Sequence, residues 1–157
     1  MLTNLFEQVY HWDATKFSNA NGITAGITAI CVISSIIILV KILKIDDVIL
    51  TILGNVSFLI GCIIRGSIEN IFGFYSSSAF IGMTAIIPIG TRSKLSKIVS
   101  EDDIGKVFSL LSTCETISPI LGSLLYAGIF SLSINSYLGL TYHSSAALTA
   151  IAVVLLL

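Results

Sequence analysis

The stretch Val32-Ile33-Ser34-Ser35-Ile36-Ile37-Ile38-Leu39-Val40 decides the fold. It closes an uncharged run of 24 residues, Phe17 to Val40, held between Lys16 and Lys41. A bilayer core about 30 Å thick is crossed by about 20 apolar residues rising 1.5 Å each as a helix. A strand of a β-barrel would alternate polar and apolar residues, and Ile36 to Val40 does not. A buried helix of a soluble bundle would still carry a charged outer face at helical period. This run is uncharged all round, so it reads as a transmembrane helix.

Similar runs follow along the chain. Seventeen uncharged residues, Val48 to Ile64, lie between Asp47 and Arg65, and 22, Asn70 to Thr91, lie between Glu69 and Arg92. From Val107 to Leu157 the only full charge is Glu115, and His143 is the one histidine. That stretch has room for two spans, with a break rich in serine, glycine and tyrosine over Leu132 to Tyr142. The expected fold class is all-α: a polytopic transmembrane bundle of about five spans, near 21–41, 47–65, 70–91, 106–131 and 142–157. Residues 1–20 are expected to precede the first span, with His11, Trp12 and Asp13 at the membrane interface. The fifth run stops at Val153-Val154-Leu155-Leu156-Leu157 with no polar tail, which reads as a fragment or truncated gene product. Composition agrees: 55% of residues are hydrophobic and 11% charged, against roughly 25% charged in soluble domains. Mean hydropathy is +0.99. A soluble enzyme and a nucleic-acid binder with a basic face are poor fits.

Basic residues orient a membrane protein, because loops rich in Lys and Arg stay cytoplasmic. Lys41 and Lys44 follow the first span; Arg92, Lys94, Lys97 and Lys106 follow the third. These two connections hold six of the eight basic residues, so both are expected in the cytoplasm, together with Asp47. Small residues recur at helix-packing spacing: Gly22 and Gly26, then Gly54, Ser57 and Gly61, then Ser118 and Gly122. Cys31, Cys62 and Cys114 sit singly in apolar runs, with no spacing that suggests a disulfide framework or zinc site. No metal, cofactor, nucleotide or nucleophile constellation is expected, and hence no enzyme.

Intramembrane polar groups are the site candidates. Glu115 lies inside the fourth span on a stripe with Phe108, Ser112, Pro119, Gly122 and Tyr126. A carboxylate in lipid costs several kcal/mol or takes up a proton, which suits a proton-coupled carrier; the alternative is a structural hydrogen bond. Arg92 ends the third span on a stripe with Ser77, Ile81, Thr84 and Pro88. Its planar fork matches a carboxylate, though an interfacial anchor has the same spacing. Ser77 and Ser112 are the hydroxyl candidates of these stripes, and Ser77 equally suits helix packing. Arg65 with Glu69 reads as an interfacial ion pair, and Ser100 as an N-cap.

Residues Arg92-Ser93-Lys94-Leu95-Ser96-Lys97-Ile98-Val99, then Gly105-Lys106-Val107-Phe108-Ser109, resemble the loop between helices ten and eleven of the proton-coupled folate transporter family. That family, solute carrier family 46, lies within the major facilitator superfamily. Lys41 and Asp47, and Trp12 with Phe17-Ser18, resemble positions around its helices seven to nine. The resemblance implies that the spans correspond to helices eight to twelve, with an amino-terminal half of the same transporter as the missing partner. It implies secondary, proton-coupled transport of an organic anion or folate-like solute, with Arg92 in coupling and substrate binding. Protons, an anionic small molecule and the lipid bilayer are the implied partners, at a plasma or endolysosomal membrane. Glu115 departs from the folate carrier itself, which leaves the substrate open. A non-transporting membrane subunit or scaffold, and a drug or sugar facilitator, are the competing readings.

Overall fold

The computed structural model describes residues 14–68, 70–133 and 139–156. The expected interfacial residues His11, Trp12 and Asp13, Glu69, and most of the break between the last two spans lie outside these. Helix α1 runs Ala14–Ser35 and continues as a π-helix over Ile36–Ile42. Then come α2 (Asp47–Ser67), α3 (Ile71–Gly82), a 3₁₀ turn (Met83–Ala85), α4 (Ile86–Ile98), α5 (Ile104–Ser133) and α6 (Leu140–Leu156). Four helical stretches are long and apolar enough to cross a membrane: Thr15–Ile42, Asp47–Ser67, Ile71–Ile98 and Ile104–Ile129. The chain is an all-α bundle and a multi-pass integral membrane protein.

Helix ends depart from where charge alone would put them. Residues 14–20 are already helical, because nothing between Ala14 and Ala20 breaks a helix strongly enough to delay it. Residues 92–98, expected as a loop, form the last two turns of α4. Ile98 and Leu95 keep helical spacing there, and the helix ends only where Val99 turns extended (ψ 140). Ser100 does not cap α5. Its hydroxyl donates to Asp103 at 3.3 Å and its carbonyl accepts from Asp103 and Ile104, making a turn that delivers α5.

The α1–α2 connection is wound tightly. Leu43 N–H donates back to Ile38 O at 2.9 Å, closing the π-helical end. Lys44 then takes φ 47, the left-handed region, where a Cβ costs roughly 1–2 kcal/mol. Asp46 ends the turn by accepting from Val48 N–H at 2.9 Å, the cap of α2. We therefore expect Lys44→Gly to leave thermal stability in detergent unchanged or slightly raised, since glycine loses that strain but gains unfolded freedom. Lys44→Val, β-branched at positive φ, should lower stability by about 1–2 kcal/mol.

The break within the third rod traces to Pro88. Proline has no N–H for the carbonyl four residues earlier, here Thr84, and tolerates only the first turn of a helix. The 3₁₀ turn falls on Met83–Ala85, and α4 restarts with Pro88 in its opening turn. Three residues at 3.0 per turn instead of 3.6 rotate the helix face by about 60°. Ser77 and Arg92 consequently do not share the stripe that an unbroken helix would give them.

Packing is inside-out relative to a soluble bundle. Thr24, Ser35, Thr51, Ser57, Ser77, Ser78 and Thr149 are buried, whereas Ile30, Phe72, Leu124 and Leu155 face outward. Lipid gives no reason to hide a large aliphatic, and small residues let helices approach. Helix α2 is the hub, packed by α3, α4 and α6, with α1 laid on α3. A Cβ on Gly54 would lie 2.5 Å from Ile87 Cγ1, and one on Gly61 3.2 Å from Ser77 O. Between them Ser57 donates across to Phe80 O at 2.9 Å. The expected Gly54-Ser57-Gly61 seam is therefore a real helix contact. Gly22 and Gly26 are different: a Cβ on either meets nothing within 4 Å. Helix α1 docks instead through Ala20, Thr24, Thr28 and Cys31, a stripe rotated away from its glycines. Helix α5 stands apart, its one extended helix contact among the described residues being with α6.

Candidate functional site

Helices α4 and α5 are joined by Arg92 and Glu115. The guanidinium Nη2 donates to Glu115 Oε2 at 2.5 Å, and the two side chains remain 49% and 40% exposed. These are the arginine and the acid that the sequence singled out separately, 23 residues apart. Nothing in their spacing shows that they meet; the turn at 100–103 brings α5 back beside α4. Both lie one turn from a proline. Pro88 precedes Arg92 by four residues, and Pro119 follows Glu115 by four within α5. Pro119 leaves the carbonyl of Glu115 without its helical donor, so backbone and side chain are both acceptors at one level. Ser118 beside it turns its hydroxyl back to Cys114 O at 2.7 Å.

Ser112 lies on the same face of α5 as Glu115, exposed, with its carbonyl accepting from Thr116 at 2.8 Å. Ser77 is elsewhere. It is fully buried, its hydroxyl donating to Phe74 O at 2.9 Å and its backbone pressed against Gly61. The structure thus brings Arg92, Glu115 and Ser112 to one open face and places Ser77 in the α2–α3 seam. An exposed, carboxylate-matched fork beside an acid can exchange its partner for an incoming anion, which a sealed ion pair cannot.

A second ion pair stands nearer the α1–α2 connection. Lys97 of α4 donates to Asp47 of α2 at 2.5 Å, with the carboxylate mostly covered and the lysine open. Sequence analysis placed both in cytoplasmic connections; the structure puts both on helices, 50 residues apart and in contact. Gly90 makes this approach possible, because α4 there touches the backbone of Asp47 and Thr51. Lys94 lies exposed on α4 and Lys41 exposed at the π-helical end of α1. Sequence reasoning missed the environment of Arg65, whose guanidinium carbon sits 4.5 Å from the Phe74 ring centre and 5.7 Å from that of Tyr142. Phe74 lies one helix on, but Tyr142 is too distant in the chain for spacing to reveal it.

Long apolar helices with polar seams between them define the class: a polytopic membrane protein. Comparison with known proteins gives the particular family. The chain is 30% identical over 109 residues, 69% of its length, to solute carrier family 46 member 2 of Mus musculus. It is 29% identical over 134 residues, 85% of its length, to the protein of the same name in Canis lupus familiaris. Over 150 residues, 94% of its length, it is 22% identical to a Drosophila melanogaster protein named a probable peptidoglycan muropeptide transporter. It is thus a relative of solute carrier family 46. It covers 22%, 27% and 29% of those proteins, and so spans about a quarter of the length of the curated relatives it matches. No protein-family model and no solved structure matches the chain.

Proposed function

We propose that this chain forms part of a proton-coupled secondary transporter of organic anions in the major facilitator superfamily, with Arg92 and Glu115 as the coupling pair. The observation that carries this is their contact: a permanent cation and a titratable acid, hydrogen-bonded across α4 and α5 on an open face. While Glu115 is ionised it occupies the Arg92 fork. A proton on Glu115 removes its charge and frees Nη2, so that the guanidinium can turn a pair of parallel N–H donors to a substrate carboxylate. Proton and anion are therefore taken up together, because each makes room for the other. Ser112 on the same face is a further donor for the solute. Facilitators hold substrate between two halves that rock, so transport requires the amino-terminal half of the protein as well. The fly relative's name adds one substrate class with the right chemistry, a muropeptide, whose peptide portion supplies carboxylates.

The pH profile of uptake tests this in the whole protein. Wild type should take up a muropeptide or a simple organic anion faster as external pH falls. Glu115→Gln, neutral at every pH, should keep uptake at acidic pH and lose most of its pH dependence. A Glu115→Gln profile that follows wild type across the same range would remove Glu115 from the mechanism.

A further inference from the structure

A cavity of about 410 Å³ opens between α1, α2 and α3, at the end of the bundle away from the Lys41–Asp47 connection. Arg65 is the one charged residue that lines it among the described residues. Its guanidinium lies over Phe74 and near Tyr142. An arginine stacked on rings spends its faces and keeps its in-plane N–H donors available. One of those donors, Nε, is buried and has no hydrogen-bond partner among the described residues. A buried unpaired donor is expensive, and doubly so on a cation. Across the cavity stand Asn21, Thr24 and Thr28 of α1 and Ser78 of α3. The Thr24 hydroxyl is anchored on Asn21 O at 2.9 Å and the Ser78 hydroxyl on Phe74 O at 2.8 Å. Those two hydroxyls have spent their protons, which leaves the Thr28 hydroxyl and the Asn21 amide as the neutral donors of the wall. The floor is apolar, from Ala25, Ala29 and Ile81.

We infer that this cavity is an anion site, separate from the Arg92–Glu115 pair, in which Arg65 binds the carboxylate of a small organic acid. The volume lies within the range of small-molecule pockets, about 300–1,000 Å³. The missing component is negative charge: among the described residues the wall brings a cation with an unspent donor, neutral polar groups and no acid. A carboxylate accepts in the guanidinium plane while its carbon chain rests on the alanine and isoleucine surface. The phosphate group of a lipid presents the same charge, and Glu69, four residues beyond Arg65 in sequence, is the internal competitor. This inference concerns binding alone and stands or falls independently of proton coupling.

The test is protection of Arg65 from phenylglyoxal, followed by peptide-resolved mass spectrometry on the full chain in phosphatidylcholine nanodiscs, with glutarate as the probe. Arg65 and Arg92 are the only two arginines, so each is read separately in one digest. Glutarate at about ten times its half-protecting concentration should slow modification of Arg65 by ~10-fold, since protection follows occupancy. Thr28→Val should raise the half-protecting concentration several-fold without changing the unprotected rate. Glu69→Gln should leave the unprotected rate unchanged. Equal modification of Arg65 with and without glutarate overturns the proposal. So does a jump in Arg65 modification in Glu69→Gln, which would make the acid its natural partner. Protection by phosphatidylglycerol nanodiscs without glutarate would assign the site to a lipid headgroup and overturn the solute reading.

Discussion

Gly90→Ala should cost about 3 kcal/mol of stability, an unusually large loss for one methyl group. A Cβ at this position would stand 2.5 Å from Thr51 Oγ1 and 2.6 Å from Asp47 O, with Thr51 N at 3.2 Å. Two of these three atoms are backbone and the third is fixed, since Thr51 donates to Asp47 O at 2.9 Å. No rotamer change relieves such a contact; α4 must move away from α2. Overpacking of this kind costs typically 1–3 kcal/mol, and more where the obstacle is main chain. The displacement would also carry Lys97 away from Asp47 and Arg92 from Glu115. Gly26→Ala is the matched control: it meets open space and trades a poor helix former for a good one, a gain of roughly 0.5–1 kcal/mol. Detergent-induced unfolding followed by circular dichroism distinguishes them. If the two variants unfold at the same midpoint, α4 does not lie on α2 as described.

Arg92→Ala should lower the uptake of an anionic solute by the whole protein by ~100-fold, and Arg92→Lys by ~10-fold. A charge-assisted hydrogen bond to a carboxylate contributes about 1.5–3 kcal/mol, which converts to those factors at 1.4 kcal/mol per decade. Lysine restores the charge but not the planar two-donor fork, so it recovers part of the loss. The paired reversal, Arg92→Glu with Glu115→Arg, separates the two roles of this contact. It should restore folding and surface expression, because the ion pair reforms between α4 and α5. It should not restore uptake, because the cation then stands on the wrong helix. Uptake assays corrected for surface expression, in all three variants, provide the measurement. Full uptake in Arg92→Ala with normal expression would reduce the pair to a surface ion pair, of the sort worth 0–1 kcal/mol.

The sequence made the spans legible because lipid imposes a one-letter criterion, charge or no charge, over about 20 residues at a time. It could not show helix ends, since Lys94 and Lys97 are charged and yet helical, exposed along α4. The Gly54-Ser57-Gly61 seam was readable because small residues one turn apart let helices approach closely in lipid. At Gly22 and Gly26 the same pattern makes no helix contact among the described residues, where the neighbouring stripe of alanine, threonine and cysteine packs instead. Arg92 and Glu115 were each legible as an intramembrane charge. That they form one site was not, because contact between them depends on how a four-residue turn returns the chain. Ser77 was misplaced on the Arg92 stripe by a rotation hidden in three residues of tighter helix.

The chain has only two prolines, and each stands one turn from one partner of the ion pair, on the side nearer the middle of its rod. Each removes a backbone tie, at Thr84 O and at Glu115 O, where a helix then bends with least resistance. The segment between those two soft points is a hairpin, pinned across its base by Arg92 and Glu115 and closed at its tip by the Ser100 turn. Mechanically it is a lever with one soft point in each arm and a single clasp just beyond them. Releasing the clasp lets the two arms part; holding it obliges them to swing together.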